Sequence, residues 1–213
     1  MECLESVARH GGILEAGSVP RYDAGVAGAD YLRGAIAELR KYRRLAEAAI
    51  AQVPEEHFFS TIGPESNSIA IVMKHIAGNM RSRWTDFLTA DGEKPDRERD
   101  SEFEREGGDD SAGVRRRWDA GWEALFAAVE PLSEADLPRT VTIRGEPHTV
   151  MEAIQRQLTH YAYHVGQIVF LARHFAGPGW KSLSIPKGQS KTFDVNKSGG
   201  AYRIPPSDVR RQT

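Results

Sequence analysis

Apolar residues return every three or four positions through four long stretches of this chain, and that period commits the sequence to helices packed side by side. In the first stretch Leu32, Ile36, Leu39, Ala46, Ile50 and Val53 keep the spacing, with Asp30 placed to cap its start and Pro54 to end it. The second runs from a cap at Asn67 or Ser68 through Ile69, Val72, Met73, Ile76, Met80, Phe87 and Leu88, stopping near Asp91-Gly92. After Ser111 come Val114, Trp118, Trp122, Leu125 and Val129, closed by Pro131. Thr149 and Glu152 stand at capping-box spacing and open a fourth, strongly apolar stretch that reaches about Phe175, before Gly177-Pro178-Gly179. Between the third and fourth, residues 140–143 and 147–150 flank Arg144-Gly145-Glu146, which allows a small β-hairpin.

The expected fold is therefore all-α, a four-helix bundle whose helices are about 30 to 40 Å long at 1.5 Å per residue. The connection between the second and third helices is roughly 20 residues and could extend over about 65 Å, enough to return along a helix and start the next one parallel to it. Residues 1–29, rich in Gly and Ala without a sustained period, read as an N-terminal extension. Residues 30–176 read as the bundle domain and 177–213 as a basic tail.

Charge narrows the partners. Lys and Arg number 28 against 30 Asp and Glu, but residues 91–110 carry a net charge of -6 and residues 177–213 one of +5. The basic tail has no periodicity and reads as solvated or as docking to a partner, with no nucleic-acid arm expected. The acidic stretch lacks the Asp-x-Asp-x-Asp-Gly spacing of a calcium loop and reads as a solvated crossover. No apolar run approaches the roughly 20 residues that cross a bilayer, so no membrane partner is expected. The first 20 residues carry Glu2, Glu5 and Glu15 where a signal peptide would be basic and then apolar, and the single Cys3 forbids an internal disulfide. The expected location is cytoplasmic.

Seven histidines occur: His10, His57, His75, His148, His160, His164 and His174. His160 and His164 stand one turn apart on the fourth helix, the spacing at which two imidazoles from one helix reach one ion. Ile168, Leu171 and Phe175 share their side, so this face points inward. His75, flanked in projection by Ile71, Val72 and Asn79, lies mid-way along the second helix and is the natural third ligand. Three neutral imidazoles from two facing helices half-surround a divalent ion and leave positions for water or a small-molecule substrate. The alternative for each is a hydrogen-bonded core histidine. His57 and His148 read as solvated.

Better-known metal chemistries fail on spacing. Tyr161 stands where a zincin needs its catalytic Glu, and Gln157, three residues before His160, where a di-iron bundle needs one. There is no Walker loop, no G-x-G-x-x-G and no paired-cysteine zinc motif. Asn79 and Arg83 follow His75 by one and two turns and could meet a substrate, Arg83 by forking onto a carboxylate or, alternatively, by serving as an interhelix ion pair. Tyr161 and Tyr163 point at least 60° away from the histidine face by helical projection and read as packing residues.

The string His75-Ile76-Ala77-Gly78-Asn79, followed by Ser82-Arg83-Trp84-Thr85-Asp86-Phe87, then Asp91-Gly92-Glu93-Lys94-Pro95, with His160-x3-His164-x2-Gln167-Ile168 downstream, resembles the DinB-like (YfiT-type) metalloenzymes, and within them a bacterial subfamily of unknown function. The resemblance covers about residues 30–194. It implies a four-helix bundle with up-down-down-up connectivity, usually a homodimer, and a divalent metal held by His75, His160 and His164. That metal would be zinc, or nickel, iron or manganese. It further implies activation of a thiol or water, with a low-molecular-weight thiol as cosubstrate in some relatives, in the manner of a thiol transferase or a hydrolase. The competing expectation is a non-catalytic metal- or ligand-binding dimeric bundle. The dimer contact is expected on helix faces opposite the metal or at exposed Trp residues.

Overall fold

Helix α2 (Ile69–Trp84) is buried along nearly its whole circumference: of its residues only Gly78 and Arg81 escape burial. It packs against both α3 (Ser111–Val129) and α4 (Val150–Ala176), while α1 (Ala24–Ile50) packs on α4. A helix in that position has no solvated face, which is why its apolar stripe is interrupted by Lys74, His75, Asn79 and Arg83 that must each find a partner inside. This computed structural model describes residues 24–193; most of the expected N-terminal extension with Cys3 and His10, and the last 20 residues of the basic tail, lie outside the described residues. No helix among the described residues is long and apolar enough to cross a membrane.

The helices begin and end near the expected places, with two corrections. Helix α1 starts at Ala24, six residues before Asp30. Gly25 and Gly28 make these turns poor helix formers by themselves, and packing supports them, Gly28 lying so close to Glu134 that an added Cβ would be 2.8 Å from Glu134 Cβ. Asp30 is thus an interior residue, paired one turn on with Arg33. Helix α2 stops at Trp84, short of the expected Asp91-Gly92. Thr85 turns extended and its hydroxyl donates to the Arg81 carbonyl at 2.7 Å, and Asp86 takes a positive φ of 49°. Phe87 then folds back against Trp84, ring centroids 4.8 Å apart, so it is buried by a turn that happens to preserve the helical spacing. Asp110 caps α3 through the Gly113 N–H at 2.6 Å. At α4 the capping box is present: Thr149 Oγ1 accepts from the Glu152 N–H at 3.1 Å, and the Glu152 carboxylate accepts the Thr149 N–H at 2.7 Å.

The hairpin forms from β1 (Thr140–Ile143) and β2 (Glu146–Thr149), antiparallel, with Ile143 opposite Glu146. Its second strand begins one residue earlier than expected because only Arg144 and Gly145 make the turn, both at positive φ (56° and 75°), the two-residue connection whose twist suits a hairpin. The Asp91 carboxylate fastens that turn, accepting the backbone N–H groups of Arg144 at 2.9 Å, Gly145 at 2.8 Å and Glu93 at 2.6 Å.

The core is aromatic where α2, α3 and α4 meet. Tyr161 is fully buried, accepting from Trp84 Nε1 and donating to Asn79 Oδ1, both at 3.0 Å. Trp84, Trp118 and Trp122 are buried and Trp180 is half-buried, so no Trp is exposed to serve as the expected dimer contact. Of the two tyrosines expected to pack, Tyr161 does and Tyr163 is exposed.

The acidic stretch between α2 and α3 is not the solvated crossover its composition suggests. It wraps over α2 and sends charges inward: Asp109 meets Lys74 at 2.7 Å, and Glu102, on a single 3₁₀ turn (Asp100–Phe103), is held by Arg97 through two hydrogen bonds of 2.8 and 2.9 Å. Buried carboxylates persist only with such partners, and Lys74 and Arg97 supply them. Composition counts charges; it does not say which of them the fold turns inward.

Candidate metal centre

His75 comes from the middle of α2, and His160 and His164 from successive turns of α4. Their rings converge. His160 Nε2 lies 3.3 Å from His75 Nε2 and 3.1 Å from His164 Nε2, and one ligand nitrogen from each of the three falls within 4.8 Å of the others. An ion with bonds of about 2.0 to 2.1 Å at tetrahedral angles would hold its nitrogens about 3.3 Å apart. The two pairs that include His160 already stand at that spacing, and the third lies within 4.8 Å, so the set would fit such an ion once His75 and His164 close toward it.

The outer nitrogens decide where the lone pairs point. His75 Nδ1 lies 2.9 Å from the Glu102 carboxylate, which can only accept, so this nitrogen carries a proton, and in the neutral imidazole Nε2 then presents its lone pair to the centre. His164 Nδ1 lies 2.8 Å from Gln167 Oε1 and is assigned the same way. Two inward lone pairs therefore face a third imidazole, which can donate a proton to at most one of them. A cation satisfies all three.

Burial, and behind it the neighbouring His164 and His75, hold the His160 imidazole down to about 3. Burial lowers His164 as well. Both are neutral at pH 7, the form that ligates. Burial pushes the Glu102 carboxyl up, but hydrogen bonds from His75 and Arg97 outweigh it and leave the group below the usual carboxylate range.

Glu102 reaches His75 only because residue 78 is glycine. A Cβ on Gly78 would lie 2.1 Å from Glu102 Oε1 and 2.7 Å from its carboxyl carbon. Glycine inside a helix costs about 1 kcal/mol relative to alanine, and the space for this carboxylate is what that cost provides. Phe103, next on the same 3₁₀ turn, lays its ring against His75 with centroids 4.6 Å apart.

Beside His75 and His160 opens a cavity of about 180 Å³ walled by Asn79, Arg83, Arg97 and Gln157, with Arg99, Arg144 and Arg156 at its edge. A larger one of about 420 Å³ lies behind Glu102, against Gly78 and Gly121, and touches none of the three histidines. The two residues expected near a substrate both line the smaller cavity. Asn79 is partly committed to Tyr161, and Arg83 is an ion-pair residue as well, its Nη1 donating to Glu93 at 2.9 Å and to the Gly92 carbonyl. Sequence reasoning missed Glu102, Arg97, Arg144 and Arg156, and named Gln157 and Gln167 only by their spacing from the histidines, without a role. Only Gly78 advertised one of them, as a helical glycine three residues from a candidate ligand. His57 stacks on Phe175 and His148 sits on β2 beside the Glu146 carbonyl, and neither joins the centre.

The neutral His160 has a consequence for folding. An unfolded histidine titrates near pH 6.5, so between about 6.5 and 3 the unfolded chain binds a proton that the folded, metal-free chain refuses. Stability is then full above pH 6.5 and falls as pH falls through that window. In chelator, the denaturant midpoint of the native chain should drop from pH 7.5 to 5 more steeply than that of His160→Gln; equal slopes would show that His160 is not held neutral.

The family model described as a protein of unknown function (DUF1572) matches residues 26–189 of the chain. No curated protein and no solved structure matches it.

Proposed function

The chain belongs to the DUF1572 family of proteins of unknown function, and we propose that it is a metal-dependent enzyme of the DinB-like kind that activates a thiol or water against a small-molecule substrate. His75, His160 and His164 hold one divalent ion in this reading, zinc first, with nickel, iron or manganese as the alternatives that imidazole accepts. Such an ion supplies the Lewis acidity that makes a nucleophile of water or a thiol near neutral pH. The observation that carries the reading is the pair of inward lone pairs fixed by Glu102 and Gln167.

The chain's own residues do the positioning. Glu102 orients His75 and keeps its Nδ1 proton in place, and Gln167 does the same for His164, the support that ligating imidazoles usually require. The buried Tyr161, hydrogen-bonded to Trp84 and Asn79, packs the inner side of the centre, and the arginine-lined cavity opens beside His75 and His160. Asn79 and Arg83 face the substrate there. The up-down-down-up bundle and the homodimer belong to the same reading, supported by the string of residues around His75 and Asp91, and a cytoplasmic location belongs to it on the ground of Glu2, Glu5, Glu15 and the single Cys3.

Elemental analysis of the purified chain tests the first half: one tightly held divalent metal per chain is expected, and a chain purified and reconstituted without retaining any overturns the site. Metal-loaded protein offered low-molecular-weight thiols with electrophilic and hydrolysable substrates tests the second. Metal-dependent turnover is expected. Bound metal without turnover across that screen overturns the enzyme and leaves a metal-binding module.

A further inference from the structure

We propose that the cavity beside His75 and His160 is a recognition site for one small anionic group, a carboxylate or a phosphate carried by the substrate. The inference rests on the metal reading for what that anion is bound beside, and on its own observations for the anion.

The first is charge. Five arginines line the cavity, Arg83, Arg97, Arg99, Arg144 and Arg156. Against them stand three carboxylates. Glu102 is taken by Arg97, Glu93 is shared among Arg83, Arg97 and Arg144, and Asp100, wholly exposed, lies 3.8 Å from Arg99. Arg156, an exposed residue on α4, has no carboxylate partner among the described residues. A positive excess is thus concentrated over one small opening, where low-dielectric walls strengthen its field.

The second observation is a pair of polar atoms left without partners. Arg83, 5% exposed, spends Nη1 on Glu93 and Gly92 but leaves Nε buried with nothing to donate to. Gln157, 3% exposed and one turn before His160, has a buried Oε1 with no donor. An orphaned buried polar group costs about 1 to 3 kcal/mol, and both of these residues line the cavity. An anion placed there accepts from Arg83 Nε and from Arg156, while Gln157 accepts a hydroxyl or amide hydrogen from the same molecule. Planar guanidiniums match either carboxylate or phosphate oxygens.

The third is size. At about 180 Å³ the space is below the roughly 300 Å³ at which drug-sized pockets begin, so it takes the anionic end of a small molecule.

Calorimetric titration of the zinc-loaded full chain with succinate and, separately, with inorganic phosphate, at ionic strength held constant with chloride, tests this. Saturable binding of at least one is expected, and the one that binds more tightly identifies the anion. Arg156→Gln, an exposed and unpaired position, should weaken that binding at least fivefold with metal content unchanged. Arg83→Lys should weaken it too, since charge is kept and the fork lost. Arg173→Gln, exposed in the last turn of α4 and away from the cavity, should leave it unaltered. No saturable binding to a chain carrying its metal overturns the anion site alone. Equal weakening by Arg156→Gln and Arg173→Gln also overturns it, because a general charge effect would then explain the heat. Saturable binding to a chain that takes up no metal overturns the metal reading and leaves the anion site standing.

Discussion

A His160→Ala chain is expected to lose its metal at least about tenfold relative to the native chain, and His75→Ala and His164→Ala to do the same. The three imidazoles share one centre, His160 between the other two at 3.3 and 3.1 Å, so deleting any one leaves two ligands and no facial set. His75 is the decisive member because it is the only one α2 contributes. His57→Ala and His148→Ala should keep full metal, since one stacks on Phe175 and the other lies on β2. Elemental analysis of the five purified variants settles the matter. Full metal in His75→Ala would mean that the centre does not span two helices.

The second large effect is expected at Gly78. Alanine in the middle of a helix ordinarily stabilises by about 1 kcal/mol over glycine. Here Gly78→Ala should instead destabilise by about 1 to 3 kcal/mol, the usual range for forcing atoms into a filled interior. The new methyl group would occupy space now held by the Glu102 carboxylate, 2.1 Å from Oε1, and Glu102 is tied down by His75 Nδ1 and by both forks of Arg97. If Glu102 moves, His75 loses the acceptor that sets its tautomer and Arg97 is left as a buried unpaired cation. Metal affinity should then fall by about 10- to 100-fold, the range seen when the group supporting a ligating histidine is removed. Urea denaturation and a competitive chelator titration measure the two effects on one sample. Raised stability with unchanged affinity would show that Glu102 does not hold His75.

Helix α4 was legible almost to the residue because everything that starts and faces it is local: the Thr149 and Glu152 capping box, the apolar period, and two histidines one turn apart. The end of α2 was not, since Phe87 and Leu88 continue the spacing while Thr85 and Asp86 turn the chain back. The same limit applied to the site. His75, His160 and His164 could be picked out by spacing on two helices. Arg144 could not, because it reaches the cavity only when Asp91 fastens the hairpin turn, 53 residues earlier in the chain.

What the sequence by itself determined is whatever depends on neighbours three or four residues away: four helices, their caps, the inward stripe, the short hairpin and the two faces that carry imidazoles. What only the tertiary structure decided is the fate of the charges. Ten acidic residues lie between Asp91 and Asp110, and nothing in their composition distinguishes Glu102 and Asp109, which turn inward, from the others. The physical reason is that a carboxylate's place is set by whether a donor waits for it in the interior. Lys74 and His75 become such partners only when α2 packs between α3 and α4, and Arg97 only when the following segment folds over α2. That burial is a property of the packed bundle, and it also sets the tautomer of His75.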